Sequence, residues 1–146
     1  MALVKLSQAE TRTFLQRANP AMLGVVGTNG ADGFPHLVPV WYHYDGERIH
    51  IWTLESRAWV KNVARDNRMA FSVQEEKVSS MGVTIRGRAA IVTSDSPFVT
   101  DEIRQITLRY IPGLAEAEAY IQRWSGLRTI VSLTPEKISG WADDGL

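Results

Sequence analysis

Three cations stand four residues apart in Ser56-Arg57-x-x-x-Lys61-x-x-x-Arg65. On a helix, positions i, i+4 and i+8 share one face, and the first turn carries free N–H groups and a partial positive charge. A phosphate suits such a place. The same stripe also describes a solvated basic face, which is common on surface helices, and spacing alone favours neither reading. Just upstream, Trp41, Tyr42, Tyr44 and Trp52 crowd the two runs that deliver the chain to this segment. An apolar, aromatic-walled slot beside a phosphate anchor describes a site for a flat-ringed phosphorylated cofactor, while packing in the core accounts for several of the same rings.

Other chemistry is sparse. The sequence contains no G-x-S-x-G, no H-E-x-x-H and no P-loop. Gly24, Gly27 and Gly30 look like a fragment of a dinucleotide fingerprint, but the spacing is wrong and no helix follows, so hairpin geometry explains them. His36, His43 and His50 recur every seven residues. On strands an odd separation alternates faces, and 43 and 50 fall on different strands, so hydrogen-bonded or solvated histidines are expected and no metal site is. Glu75 and Glu76 fall in a turn and Asp143 and Asp144 in the tail, all as solvated carboxylates. Tyr42 and Tyr44 are the two groups that could hand a proton to a reduced product, and packing is the simpler role for each. No catalytic acid or base is assigned.

The elements that must position these groups read as follows. Ser7 with Glu10 makes a capping box that opens a short, charged lid helix over 7–18, stopped by Asn19-Pro20. The runs 21–28, 34–44 and 48–53 are β-rich and separated by Asn29-Gly30, Asp32-Gly33 and Asp45-Gly46, which supply positive-φ residues for tight hairpins and predict an antiparallel meander. Pro35 and Pro39 make the second run an edge strand or a bulged one. A helix over 56–66 follows, with Ser56 as N-cap and Trp59, Val60 and Val63 on its buried face. Strands resume at 68–74 and 82–93, the latter bending at Gly87. Ser96-Pro97 opens a helix with Val99, Ile103, Ile106 and Tyr110 on one face, and a second helix carries Leu114, Ala117, Ile121 and Trp124 and ends at Gly126. Two strands, 127–134 and 137–142, close the chain. About seven short antiparallel strands with inserted helices indicate an α+β protein built on a small closed or split barrel.

With 146 residues, 16 Lys+Arg against 16 Asp+Glu and no Cys, the chain is expected to form one domain over 1–146. A net charge of zero argues against nucleic acid as a partner, because polyanion binders carry a basic excess. Lack of Cys excludes disulfides, thiolate metal sites and thiol nucleophiles, and suits a reducing cytosol. No apolar run approaches the ~20 residues of a membrane span, so a cytoplasmic protein away from membranes is expected.

The stretches GFPHLVPVWYHYDGERIHIWT, SRAWVKNVARDNRMAFSV and GVTIRGRAAIV, with TPEKISGWA at the end, resemble the pyridoxamine 5′-phosphate oxidase-like split β-barrel superfamily over about residues 8–142. Within it they look most like the flavin/deazaflavin oxidoreductase branch that uses coenzyme F420. The resemblance implies a six- to seven-stranded antiparallel split β-barrel with flanking helices, and hydride transfer between a flavin-type cofactor and a small organic substrate. F420 is favoured on PVWYHYDG and RDNR, with FMN second, as in a pyridoxamine 5′-phosphate oxidase-like reductase or oxidase. It places the cofactor's phosphate against Arg57 and Lys61, with Ser56 and Thr53 at the strand-to-helix junction. The ring system would lie along the backbone of Val38, Pro39, Val40 and Trp41. Many relatives carry Lys where this chain has Trp59, a departure that weakens the phosphate grip the resemblance implies. Relatives are homodimers with the cofactor at the interface, so Trp141 or the helical pair over 96–124 is expected to reach the partner's site. The row Trp41, Tyr42, Tyr44 is more aromatic surface than one small barrel hides, which points to a partner face as well. The rival class is a non-catalytic flavin or haem carrier, since a fold does not fix a function.

Overall fold

The computed structural model describes residues 3–18, 21–78 and 80–143. In chain order they form β1 (Leu3–Lys5), α1 (Gln8–Gln16), β2 (Gly24–Asn29), β3 (Pro35–Val40), β4 (His43–Tyr44) and β5 (Ile49–Thr53), then α2 (Ala58–Arg65), β6 (Arg68–Gln74) and β7 (Met81–Thr93), and finally α3 (Pro97–Tyr110), α4 (Leu114–Arg123) and β8 (Thr129–Asp143). All eight strands belong to one antiparallel sheet of order β3-β2-β6-β7-β8-β5-β4, with β1 paired to the far end of β8. The protein is thus α+β. The sheet's two ends, β3 and β4, are not hydrogen-bonded to each other, so the ladder is open where a closed barrel would join. The eighth strand, β1, is only three residues long, too short for periodicity to register.

Alternation builds the main core. Met69, Phe71 and Val73 of β6 and Val83, Ile85 and Ala89 of β7 point inward while their neighbours face out, as a half-buried strand requires. Ser7 and Glu10 form the expected capping box on α1. That helix is a plug more than a lid, because Phe14 and Leu15 sit inside the main core. Its expected stop at Asn19-Pro20 lies outside the described residues, as does Asp144. A second cluster forms where Val99, Ile103 and Ile106 of α3 cover Ile130, with Trp41, Trp52 and Ile121 packed against it. The Ser96 hydroxyl accepts from the Val99 amide and Pro97 occupies the first turn, as the sequence predicts. No described helix is long and apolar enough to cross a membrane.

Three expectations are corrected. The meander over 21–53 does not form: the run 34–44 breaks at Trp41-Tyr42, so β3 pairs with β2 while β4 pairs with β5 at the other end of the sheet. α3 holds this crossing, since the Tyr42 amide donates to the Tyr110 hydroxyl at 3.2 Å and Trp41 stacks on Tyr110 with ring centroids 4.6 Å apart. β3 is an edge strand, as its prolines demand. Residues 127–142 make one strand and not two. Pro135 is tolerated inside β8 because it lies opposite Gly87 at a register shift of the β7–β8 ladder. A Cβ at Gly87 would run into the Thr134 carbonyl oxygen, so the bend needs glycine. Of the glycines assigned to hairpins, Gly33 (φ 85°) and Gly46 (φ 100°) adopt positive φ, and Gly30 does not.

Candidate functional site

β3, the end of β5 and the start of α2 meet in a cleft of about 540 Å³ beside the edge strand β3. Val38, Pro39 and Val40 of β3 form one wall, and Trp41, Trp52 and Tyr120 continue it. Trp41 stacks on Tyr120 as well as on Tyr110, with centroids 5.3 Å apart, and the Trp52 indole N–H donates to the Leu127 carbonyl at 2.7 Å. These rings are therefore held rather than loose. Trp59 and Trp124 complete the aromatic lining. Four of the five tryptophans thus face one cleft, and no Asp or Glu among the described residues lines it.

The polar end of the cleft is the start of α2. The chain first makes a turn in which the Arg57 amide donates to the Leu54 carbonyl at 3.0 Å, so the helix starts one residue later than expected. Arg57 and not Ser56 is the N-cap, and no side chain caps the helix. The amides of Ala58 and Trp59 take no partner among the described residues. Both residues and the exposed Arg57 side chain line the cleft, with Thr53 beside them. Two orphan N–H groups, a helix N-terminus and a guanidinium at one point make a place for an anion.

The sequence-derived site residues divide accordingly. Val38, Pro39, Val40, Trp41, Thr53 and Arg57 come together in the cleft. Ser56 and Lys61 do not: they border a separate shallow depression with Leu54, Glu55, Val60 and Ile91. The third cation of the stripe, Arg65, is engaged elsewhere, donating to the Asn29 carbonyl and, at 3.1 Å, to the Asn62 side-chain oxygen. Trp141 lies on β8 across from Lys5 and Gly82, away from the cleft of its own chain. Tyr42 and Tyr44 are core residues. Their hydroxyls donate to the Leu15 and Gly46 carbonyls, and burial pushes the Tyr42 phenol up to about 12. Neither touches the cleft, so packing is the role of both. It follows that Trp41, Tyr42 and Tyr44 are all used within the chain, and the surplus from which a partner face was argued is absent at those rings. Large exposed apolar side chains lie elsewhere on the surface, and two of them, Phe34 and Leu37, sit beside and on edge strand β3.

Sequence reasoning missed several residues. Trp59 and Trp124 read as helix-face core, yet both reach the cleft. His36 lines it too, tied through Asn62, a buried polar residue on the otherwise apolar face of α2. That Asn beside Trp59 and Val63 was the available signal. Glu75 is not a solvated turn carboxylate: it is buried and bonded to Arg17 at 2.7 Å and to the Met81 amide at 3.0 Å. His43 pairs with Glu102 at 2.9 Å, and His43 and His50 are direct cross-strand neighbours. His50 lies between Asp45 and Ser132, 2.7 Å from each, which superficially has the composition of a nucleophilic triad. With His50 only 1% exposed and Ser132 buried, no substrate reaches it, and its work is to fasten the β4–β5 hairpin to β8.

Against known proteins, the profile of the family described as pyridoxamine 5′-phosphate oxidase matches residues 7–142. No curated protein sequence matches the chain. Among solved structures, a conserved hypothetical protein of Mycobacterium tuberculosis is similar at 27% identity and a TM-score of 0.78, over 94% of this chain and 85% of that one. A FAD-binding protein of Mesorhizobium loti is similar at 17% identity and 0.71, over 99% and 100%. An F420 reductase is similar at 21% and 0.66, over 87% and 94%. At the identities of the last two, the likeness is one of fold.

Proposed function

Because the chain belongs to the pyridoxamine 5′-phosphate oxidase family, we propose that it is an oxidoreductase that binds a flavin-type cofactor in this cleft, F420 in preference to FMN, and serves hydride transfer with a small organic acceptor. The observation that carries the reading is the cleft itself: among the described residues, four tryptophans and a tyrosine surround a space with one cation and two orphan amides at its end and no carboxylate. A planar ring with a phosphate on its tail matches that distribution in shape and charge. When bound, such a cofactor supplies the redox chemistry, which accounts for a cleft without an acid–base pair. The chain's own residues then have three tasks. Arg57 with the amides of Ala58 and Trp59 holds the anion, β3 presents a backbone from which Pro39 has removed one N–H, and the indoles exclude water. Of the two stretches on which the preference for F420 rests, the first places Pro39, Val40 and Trp41 in the cleft. In the other stretch Arg65 donates to Asn29 and Asn62, Asp66 accepts from Asn29 and Arg68, and Asn67 accepts from Arg88, all away from the cleft. The preference therefore stands on the first.

A titration tests the reading. F420 and FMN, added separately, should each quench the fluorescence of the four cleft tryptophans, F420 at the lower concentration, and reduced F420 should be oxidised in the presence of an enone or quinone. Binding without turnover of either reduced cofactor over a broad acceptor panel replaces the enzyme by a carrier. The reading includes a homodimer, for which exposed Phe34 (73%) and Leu37 (68%) on an edge supply apolar surface. Light scattering should report about twice the 16.3 kDa chain mass, and a monomer overturns that part.

A further inference from the structure

Inside the cleft one imidazole stands among the apolar walls, in no ion pair among the described residues: His36 on β3. Its orientation is set from behind by Asn62, only 7% exposed on α2. The Asn62 side-chain oxygen accepts from the Arg65 guanidinium at 3.1 Å, and Arg65 is itself tied to the Asn29 carbonyl. This fixes which way the carboxamide faces, because a guanidinium has donors only. The amide nitrogen is left facing Thr28 Oγ1 at 3.1 Å and His36 Nδ1 at 3.3 Å. A carboxamide nitrogen offers two protons and accepts none, so Nδ1 is the acceptor and the ring proton resides on Nε2. Nε2 takes no hydrogen-bond partner among the described residues. All groups of the Asn62 amide are thereby satisfied, and one N–H donor is left over at the edge of the cleft.

We propose that His36 is a fixed hydrogen-bond donor on the β3 wall of the cleft, offering Nε2–H to a ring carbonyl oxygen of the bound cofactor, and that Asn62 is the positioning residue that selects this tautomer. The ligand named here rests on the flavin-type reading above; flavin and deazaflavin both carry carbonyls on the pyrimidine part of the ring, so the same donor serves either. The tautomer does not rest on that reading.

Two measurements decide it. Long-range ¹H–¹⁵N correlation of the histidine ring in the protein without added ligand should show His36 protonated on Nε2. In Asn62→Asp, where Arg65 holds one carboxylate oxygen and the other faces the ring, the proton should move to Nδ1. A proton on Nδ1 in the wild type overturns the proposal and leaves the cofactor reading intact. In the second arm F420 and FMN are titrated by tryptophan quenching. His36→Phe, which keeps a flat ring and loses the donor, should bind about 3- to 10-fold more weakly, the range of one neutral hydrogen bond. His36→Gln restores an N–H at similar reach and should recover most of that loss. Because His36 is partly exposed at an edge strand, both variants are expected to fold, which their thermal unfolding checks, so the test does not depend on Asn62→Asp. Unchanged affinity in His36→Phe overturns the donor role. A wild type that binds neither cofactor overturns the flavin reading and the ligand named for His36 together, while the NMR result still stands or falls by itself.

Discussion

Removing the Arg57 side chain tests the anion end of the cleft, and the structure makes the three cations of the stripe unequal. Arg57 is the N-cap of α2 and lines the cleft beside two unpartnered amides. A hydrogen bond to a charged group contributes about 1.5–3 kcal/mol, and because Arg57 is exposed the lower end applies, so Arg57→Ala should weaken F420 or FMN by about 1.5 kcal/mol, roughly tenfold in Kd. Binding is not abolished, since the Ala58 and Trp59 amides remain. Lys61 borders a different depression, so Lys61→Ala should stay within about 0.5 kcal/mol. Arg65→Ala acts through the fold: it frees the Asn62 side-chain oxygen and the Asn29 carbonyl and should lower stability by about 1 kcal/mol. Calorimetric titration of the first two variants, with thermal unfolding of all three, separates these effects. A loss at Lys61 equal to or larger than that at Arg57 would refute the placement and put the phosphate on the far side of the α2 N-terminus, where the spacing of the sequence also allows it.

Three further outcomes are expected. Gly87→Ala should destabilise the protein by about 1–3 kcal/mol in urea unfolding, because the new methyl meets the Thr134 carbonyl at the β7–β8 bulge; an unchanged midpoint would show that the bend does not need glycine. Burial alone would raise the Asp45 carboxyl, but the Arg48 amide, the His50 ring and the Glu47 amide hold it at about 2, below its ordinary 3.8. A depressed carboxylate stabilises the fold above the ordinary value and stops doing so as the pH falls through the depressed one. Asp45→Asn should therefore be less stable by about 1 kcal/mol near neutrality, solvent screening included, and the gap should close between about pH 4 and pH 2; a gap independent of pH rejects the account of a hydrogen-bonded, depressed carboxylate. Tyr42→Phe should lower stability by about 1 kcal/mol through loss of the bond to the Leu15 carbonyl, with cofactor affinity and turnover unchanged; a fall in turnover at equal stability would return the phenol to the chemistry.

What the sequence discloses and what it conceals follow from the range of the interactions involved. The Ser7–Glu10 box, the Ser96-Pro97 start, the edge position of the proline-bearing strand and the bend at Gly87 are set by residues within a few positions of one another, and each was legible. The aromatic slot near 41 and 52 was legible for the same reason. The split of the run 34–44 was not, because what stops the strand at Trp41 is Tyr110, 68 residues beyond Tyr42 in the chain. Continuity of β8 through Pro135 depends on Gly87 opposite, which no local rule for proline supplies. The cation stripe shows the same limit within eleven residues. Helical spacing put Arg57, Lys61 and Arg65 on one face, but the turn closed by the Arg57 amide on Leu54 moves Arg57 off the helix, and Asn29 on β2 claims Arg65. A periodic motif therefore located the helix that carries the anchor, while the choice among its three cations was made by partners elsewhere in the fold. The same holds for His36, whose tautomer is dictated by Asn62 and, one step behind it, by an arginine that touches neither the cleft nor the ring.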